Sequence, residues 1–241
     1  MKRILFAAGM VCGVAAGSAQ AASMDVTYQV SGKPFGTAPD NWVRTVNITS
    51  EMYGSTRNSS TANVNAGLFR LVGDNGGGDF NAFCVDLAQY LVPSANYTLP
   101  VQLFSGVTLD NLDRLYTSSF GSVNDANTAA AFQIAIWEII EDSENGLDLT
   151  GGGAFKFNVN EERPMHVAIR ELAQGYLDGL DDADVAAYNL TFLQSDVGQD
   201  LVVAEPIDDA PGPNVVPLPA SALGLLAGLA ALAGLGRRRR G

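Results

Sequence analysis

The stretch from Asn124 to Asp142, NDANTAAAFQIAIWEIIED, constrains this chain more than any other. Ala129, Ala130, Ile134, Ile136, Trp137 and Ile140 recur at helical spacing, and Phe132 and Ile139 carry apolar surface almost all the way round. A helix apolar on every side belongs at the centre of a fold. Gln133 interrupts it. A buried primary amide must satisfy two donors and a carbonyl, so it needs a reason to be there. One reason is a core glutamine bonded to neighbouring backbone. The other is that its carbonyl carbon is a reaction partner, for which the chain offers the nucleophile Cys84 in FNAFCVDLAQY.

The chain before that helix reads as short strands. Residues 24–31, 42–49, 63–73, 80–90 and 97–104 are rich in Val, Thr, Tyr, Phe and Leu, and clusters of Gly, Pro, Asn and Ser separate them. Strand alternation puts Phe83, Val85 and Leu87 on one face and Ala82, Cys84 and Asp86 on the other, so Cys84 has small neighbours that leave room for an approach. Leu109, Leu112, Leu115 and Tyr116 then follow a helical pattern, and Ser122 and Asp125 fit a capping arrangement for the central helix. That helix should stop before Asn145-Gly146. A strand over 154–159, a helix from Pro164 to about Leu180 and strands over 188–195 and 200–205 complete the body. The expectation is an α+β fold: a β-sandwich or open barrel with an inserted helical subdomain containing one buried central helix.

The two ends differ from the body in composition. Met1-Lys2-Arg3, an apolar core and Ala19-Gln20-Ala21 have the layout of a signal peptide over residues 1–21. Its removal takes Cys12 away and leaves Cys84 as the single cysteine of an exported domain spanning 22–205, in a compartment where thiols normally pair. Such a thiol is deeply buried, paired between molecules, or reactive. A Pro-rich linker follows over 206–216, and then residues 217–241 hold an apolar run without charge that ends in Arg237 to Arg240. The run has the minimum length of a transmembrane helix, and its arginines place the C-terminus on the cytoplasmic side with the body outside. Eight basic residues remain between the ends against all 26 acidic ones. A body so negative repels phosphate backbones, which argues against nucleic acid and for cationic or neutral partners.

Two groups of residues resemble known families. Val216-Pro217-Leu218-Pro219-Ala220, a small-residue helix and an arginine cluster resemble the VPLPA variety of the PEP-CTERM sorting signal of Gram-negative bacteria. That resemblance implies an inner-membrane precursor processed by an exosortase-type transpeptidase, which passes the body to the envelope, the cell surface or the medium. Within the body, Phe83-Cys84-Val85-Asp86-Leu87 and Phe132-Gln133-Ile134-Ala135-Ile136-Trp137 are similar to the two motifs of the bacterial thioester domain of surface adhesins. The resemblance implies that the Cys84 sulfur and the Gln133 carbonyl join with loss of ammonia, with Phe83 and Trp137 in support. Amines on a target surface protein or matrix polymer would then attack. No cofactor is implied.

Three function classes follow. The first is an adhesin-like module that couples covalently through Cys84 and Gln133, once, and so is not an enzyme. The second is a noncovalent structural or exopolysaccharide-associated protein of the envelope without a thioester. The third, a cysteine hydrolase pairing Cys84 with His166, ranks last because no third member and no Gly-rich oxyanion loop accompany the cysteine. The acidic group Asp178, Asp181, Asp182 and Asp184 lacks calcium-loop spacing and reads as a solvated helix end.

Overall fold

The computed structural model describes residues 22–28, 42–52, 60–74, 78–183 and 186–207. The chain separates into two units, Met1–Pro206 and Ile207–Gly241, and every described strand and helix belongs to the first. The signal peptide, the VPLPA segment and the apolar C-terminal run lie outside the described residues. Among the described residues, no helix is long and apolar enough to cross a membrane.

Six strands close a barrel instead of forming the sandwich or open barrel expected. They are β1 (Ala22–Tyr28), β4 (Phe69–Gly73), β5 (Gly78–Cys84), β9 (Leu201–Pro206), β8 (Tyr188–Gln194) and β6 (Ser94–Val101), in that order round the wall. Closure comes from β1, which pairs antiparallel with β6 through Ala22↔Leu99 to Thr27↔Ser94 and with β4 through Val26↔Gly73. Periodicity within a strand reports one buried face and cannot distinguish a flat sheet from a closed one. A second sheet holds β3 (Ser60–Gly67), β2 (Val43–Ser50) and the two-residue β7 (Lys156–Phe157).

The expected single strand over 63–73 is therefore two strands in two sheets, and Gly67 is the reason. It takes φ of +151°, and a Cβ there would lie 2.0 Å from the Trp42 carbonyl oxygen, so only glycine lets the chain leave one sheet for the other at this point. The strand expected over 80–90 also ends early, at Cys84. Beyond it, Val85 N–H donates to the Asp200 carbonyl at 2.9 Å, and Asp86 turns the chain by accepting from Ala88 N–H at 2.6 Å.

The helices match their patterns more closely. They are α1 (Gly106–Ser119), α2 (Ala126–Asp142) and α3 (Pro164–Asp178), with short 3-10 turns at Phe120–Ser122 and Leu180–Asp182. Asp125 is the N-cap of α2: its carboxylate accepts from Asn127 and Thr128 N–H at 2.8 Å each, while Thr128 Oγ1 accepts from Asp125 N–H at 3.0 Å. Those bonds hold the Asp125 carboxyl below the usual carboxylate range. Ser122 is not part of the cap and bonds back to the Ser119 carbonyl. Asp125→Ala should cost about 1 kcal/mol, read as a lowered urea midpoint with unchanged slope.

Every side chain of α2 from Ala129 to Ile139 is buried, so the central helix is as its sequence requires. It packs against β2 and β3 on one side and against α1 and α3 on others. An aromatic cluster joins it to the barrel. Phe83 of β5 meets Phe132 at 5.0 Å, Phe120 at 6.2 Å and Tyr116 at 6.4 Å between ring centroids. Because Phe83 and Phe132 are the immediate neighbours of Cys84 and Gln133, the same packing that docks the helix sets which backbone faces which side chain.

Candidate functional site

Cys84 and Gln133 meet. The Gln133 carbonyl oxygen accepts from Cys84 N–H at 2.9 Å, and the Gln133 amide nitrogen donates to the Cys84 carbonyl at 2.8 Å. This reciprocal pair has a cause in the sheet. The β4–β5 pairing ends at Phe69↔Ala82, while β9 pairs with Cys84 through Leu201 on the other side. The outer edge of Cys84 would face the interior with an unpaired N–H and C=O, and the glutamine side chain serves as the missing strand. Both partners are deep, with Cys84 at 1% and Gln133 at 0% exposure.

The thiol itself points elsewhere. Cys84 Sγ donates to Gln199 Oε1 at 2.9 Å, Gln199 Nε2 donates to the Asp86 carbonyl at 2.9 Å, and Tyr97 Oη donates to the Gln199 carbonyl at 2.9 Å. Burial, and then the negative charge of Asp86, push the Cys84 thiol well above its ordinary value, so it rests protonated. Tyr97 is raised for the same first reason. Asp200, which accepts from Ser195 N–H at 2.8 Å, is pushed up to about 6 by burial. The alternation expected for this strand, with room on the cysteine face, is not what surrounds it: Ala82, Phe83, Cys84 and Val85 are all buried, and a glutamine fills the space beside the sulfur. Asp86 serves as a turn-capping carboxylate, accepting from Ala88 N–H.

The other candidate residues divide clearly. Phe83 docks the helix, as described. Trp137, one turn after Gln133 on α2, packs against Phe155 at 6.2 Å, and its indole nitrogen is buried without a partner. Trp137 and Gln199 both line a cleft of about 250 Å³, together with Asn63 and Asn65 of β3 and Leu87, Gln89, Tyr90 and Leu91 in the loop after β5. His166 is 6% exposed, has no hydrogen-bond partner on either nitrogen and lies against Phe157 at 6.3 Å. The Cys84 thiol donates to Gln199, and neither His166 nitrogen bonds to it. Asp181 is fully exposed and 3.9 Å from Arg114, as a solvated helix end requires, while Asp178 accepts from Gln174. Among the described residues, no group of three or more His, Cys, Asp or Glu side chains is placed to hold a metal.

Gln199 and Tyr97 are the functional candidates that sequence reasoning missed. Gln199 lies in the tight loop between β8 and β9, where Ser195 Oγ accepts from Val197 and Gly198 N–H at 3.3 Å. Only the pairing of β5 with β9, a contact between distant parts of the chain, carries it to Cys84. No sequence signal marks that register.

The chemistry open to this arrangement is acyl transfer from Gln133 to the Cys84 sulfur. It needs a thiol brought against a carboxamide and the exclusion of water. The backbone bonds hold the Gln133 carboxamide beside Cys84 and burial keeps water away, while the thiol, which donates to Gln199, would have to turn from it to reach the Gln133 carbon. No family model matches the chain. No curated protein matches it either. Among solved structures, it is similar to the N-terminal domain of the Streptococcus pyogenes pilus tip adhesin Cpa, with 14% identity and a TM-score of 0.41 over 72% of this chain and 99% of that one. A likeness this loose carries no part of the functional reading.

Proposed function

We propose that this chain is an exported cell-surface or extracellular-matrix protein whose body joins Cys84 and Gln133 in an internal thioester and couples once, covalently, to amines on a target surface. The observation that carries the reading is the reciprocal pair of hydrogen bonds between the Gln133 carboxamide and the Cys84 peptide group. It sits at the crossing of the two motifs that resemble those of thioester adhesins. Formation balances as thiol plus carboxamide giving thioester plus ammonia, with the thiol proton leaving on the ammonia.

A thioester keeps acyl-transfer potential that an amide lacks, and a site with both residues buried slows its loss to water. Discharge onto a lysine or another amine leaves a new amide at Gln133 and a free Cys84 thiol, without turnover. The acidic body draws cationic amines toward it at low salt. On this reading the partners are an amine-bearing surface protein or matrix polymer, an exosortase-type processing enzyme, and the membrane while the C-terminal tail remains attached.

Methylamine is the test. Incubated with native protein, it should add at Gln133, recovered on the peptide that contains α2, and it should release one Cys84 thiol per adduct. Cys84→Ala should take up none. An unmodified Gln133 in the wild-type protein would leave the noncovalent envelope role, in which Gln133 only completes the edge of β5.

A further inference from the structure

We infer that the Gln199 carboxamide receives and orients the attacking amine, an assignment that rests on the coupling reading above and adds the residue that handles the nucleophile. Gln199 belongs to two places at once. It lines the 250 Å³ cleft with Asn63, Asn65 and Trp137, and its Oε1 takes the Cys84 S–H at 2.9 Å.

Its freedom to do otherwise is small. Its Nε2 is spent on the Asp86 carbonyl at 2.9 Å, and its own carbonyl is held by Tyr97 Oη at 2.9 Å. At the neighbouring Gly198, a Cβ would lie 3.0 Å from Val92 Cγ2 and 3.3 Å from Tyr97 Oη, so the loop is closely packed. When the Cys84 sulfur is acylated it no longer carries a proton. Gln199 Oε1 then loses its donor while its two anchoring bonds keep it in place. Gln199 is partly buried on the cleft wall, so its carbonyl is left facing the cleft without a protein donor, and an amine N–H entering there supplies the missing bond. The same wall carries Trp137, whose buried indole N–H also has no partner.

The transfer closes on itself. The amine nitrogen bonds to the Gln133 acyl carbon, the carbon–sulfur bond breaks, and the proton shed by nitrogen ends on sulfur, again donated to Gln199 Oε1. Burial makes a bare Cys84 thiolate a poor leaving group, so a proton must arrive as the sulfur departs.

The test compares two nucleophiles on the charged protein. Methylamine brings an N–H to be received; a small thiolate brings none. Gln199→Met keeps the shape without the acceptor and should lower the ratio of methylamine to thiolate rates by about tenfold, while Gln199→Glu, which keeps an acceptor, should retain most of it. Both variants are checked for a wild-type melting profile. A Gln199→Met ratio equal to wild type, or equal losses with both nucleophiles, would overturn the assignment and leave the thioester standing. A wild-type protein that has lost no ammonia would remove the coupling reading itself and this assignment with it.

Discussion

Gln133→Leu is expected to destabilise the body by about 3 kcal/mol and to abolish coupling, whereas Cys84→Ala should abolish coupling at a cost near 1 kcal/mol. The difference follows from which atoms each residue contributes. Gln133 holds both backbone groups of Cys84, and leucine would strand a buried N–H and a buried C=O at the end of β5. Alanine at position 84 keeps those backbone bonds and removes only the sulfur and its bond to Gln199. Urea unfolding of the two variants checks the stability order, and methylamine uptake checks coupling. Equal stabilities would mean that the carboxamide does not complete the strand edge. Gln133→Glu is a useful third variant, because it preserves size and an acceptor for Cys84 N–H while removing the ammonia that the reaction must release.

Glu138 gives the second large effect, and its sign is set by proton linkage. The residue is 0% exposed on α2, neither of its carboxyl oxygens has a partner in normal hydrogen-bond geometry, and the Asp148 backbone lies near enough only to offset part of its cost. Burial first, and then Asp142, raise it from 4.5 to about 8. Glu141, one turn on, is raised as well, mainly by burial, although Ser50 and the Glu51 N–H bond to it. Between pH 4.5 and about 8 the folded body therefore holds a proton at Glu138 that the unfolded chain has released. Stability falls as pH rises through that window and levels off above it. Glu138→Gln keeps a neutral side chain of the same shape and should raise stability at pH 9 by about 1–3 kcal/mol, with little change at pH 5. Thermal melts of wild type and variant at the two pH values read it. A gain of the same size at pH 5 would show that charge at Glu138 is not the cause.

What could be read from the sequence was whatever depended on local pattern. Helix α2 declared itself because it is apolar on every side, while its cap was legible only as a Ser122–Asp125 arrangement, of which Asp125 alone takes part, with Thr128 in place of Ser122. The pairing of Cys84 with Gln133 was legible as two odd residues set in motifs similar to those of thioester adhesins; nothing local says that a strand edge at one would be completed by the other. Long-range geometry was illegible. Closure of the barrel depends on β1 meeting both β4 and β6, and the split of the third expected strand depends on what a Cβ at Gly67 would strike. Gln199 was invisible for the same reason, since a polar residue in a polar loop looks like solvent-facing chain until the β5–β9 register carries it to the sulfur.

The most direct measurement is the intact mass of the exported protein, taken unreduced and without amine in the buffer, with its Cys84 thiol titrated in parallel. An internal thioester gives a mass lower than the sequence requires by one ammonia and a thiol that fails to react until methylamine releases it. A full sequence mass with a free Cys84 thiol would contradict it.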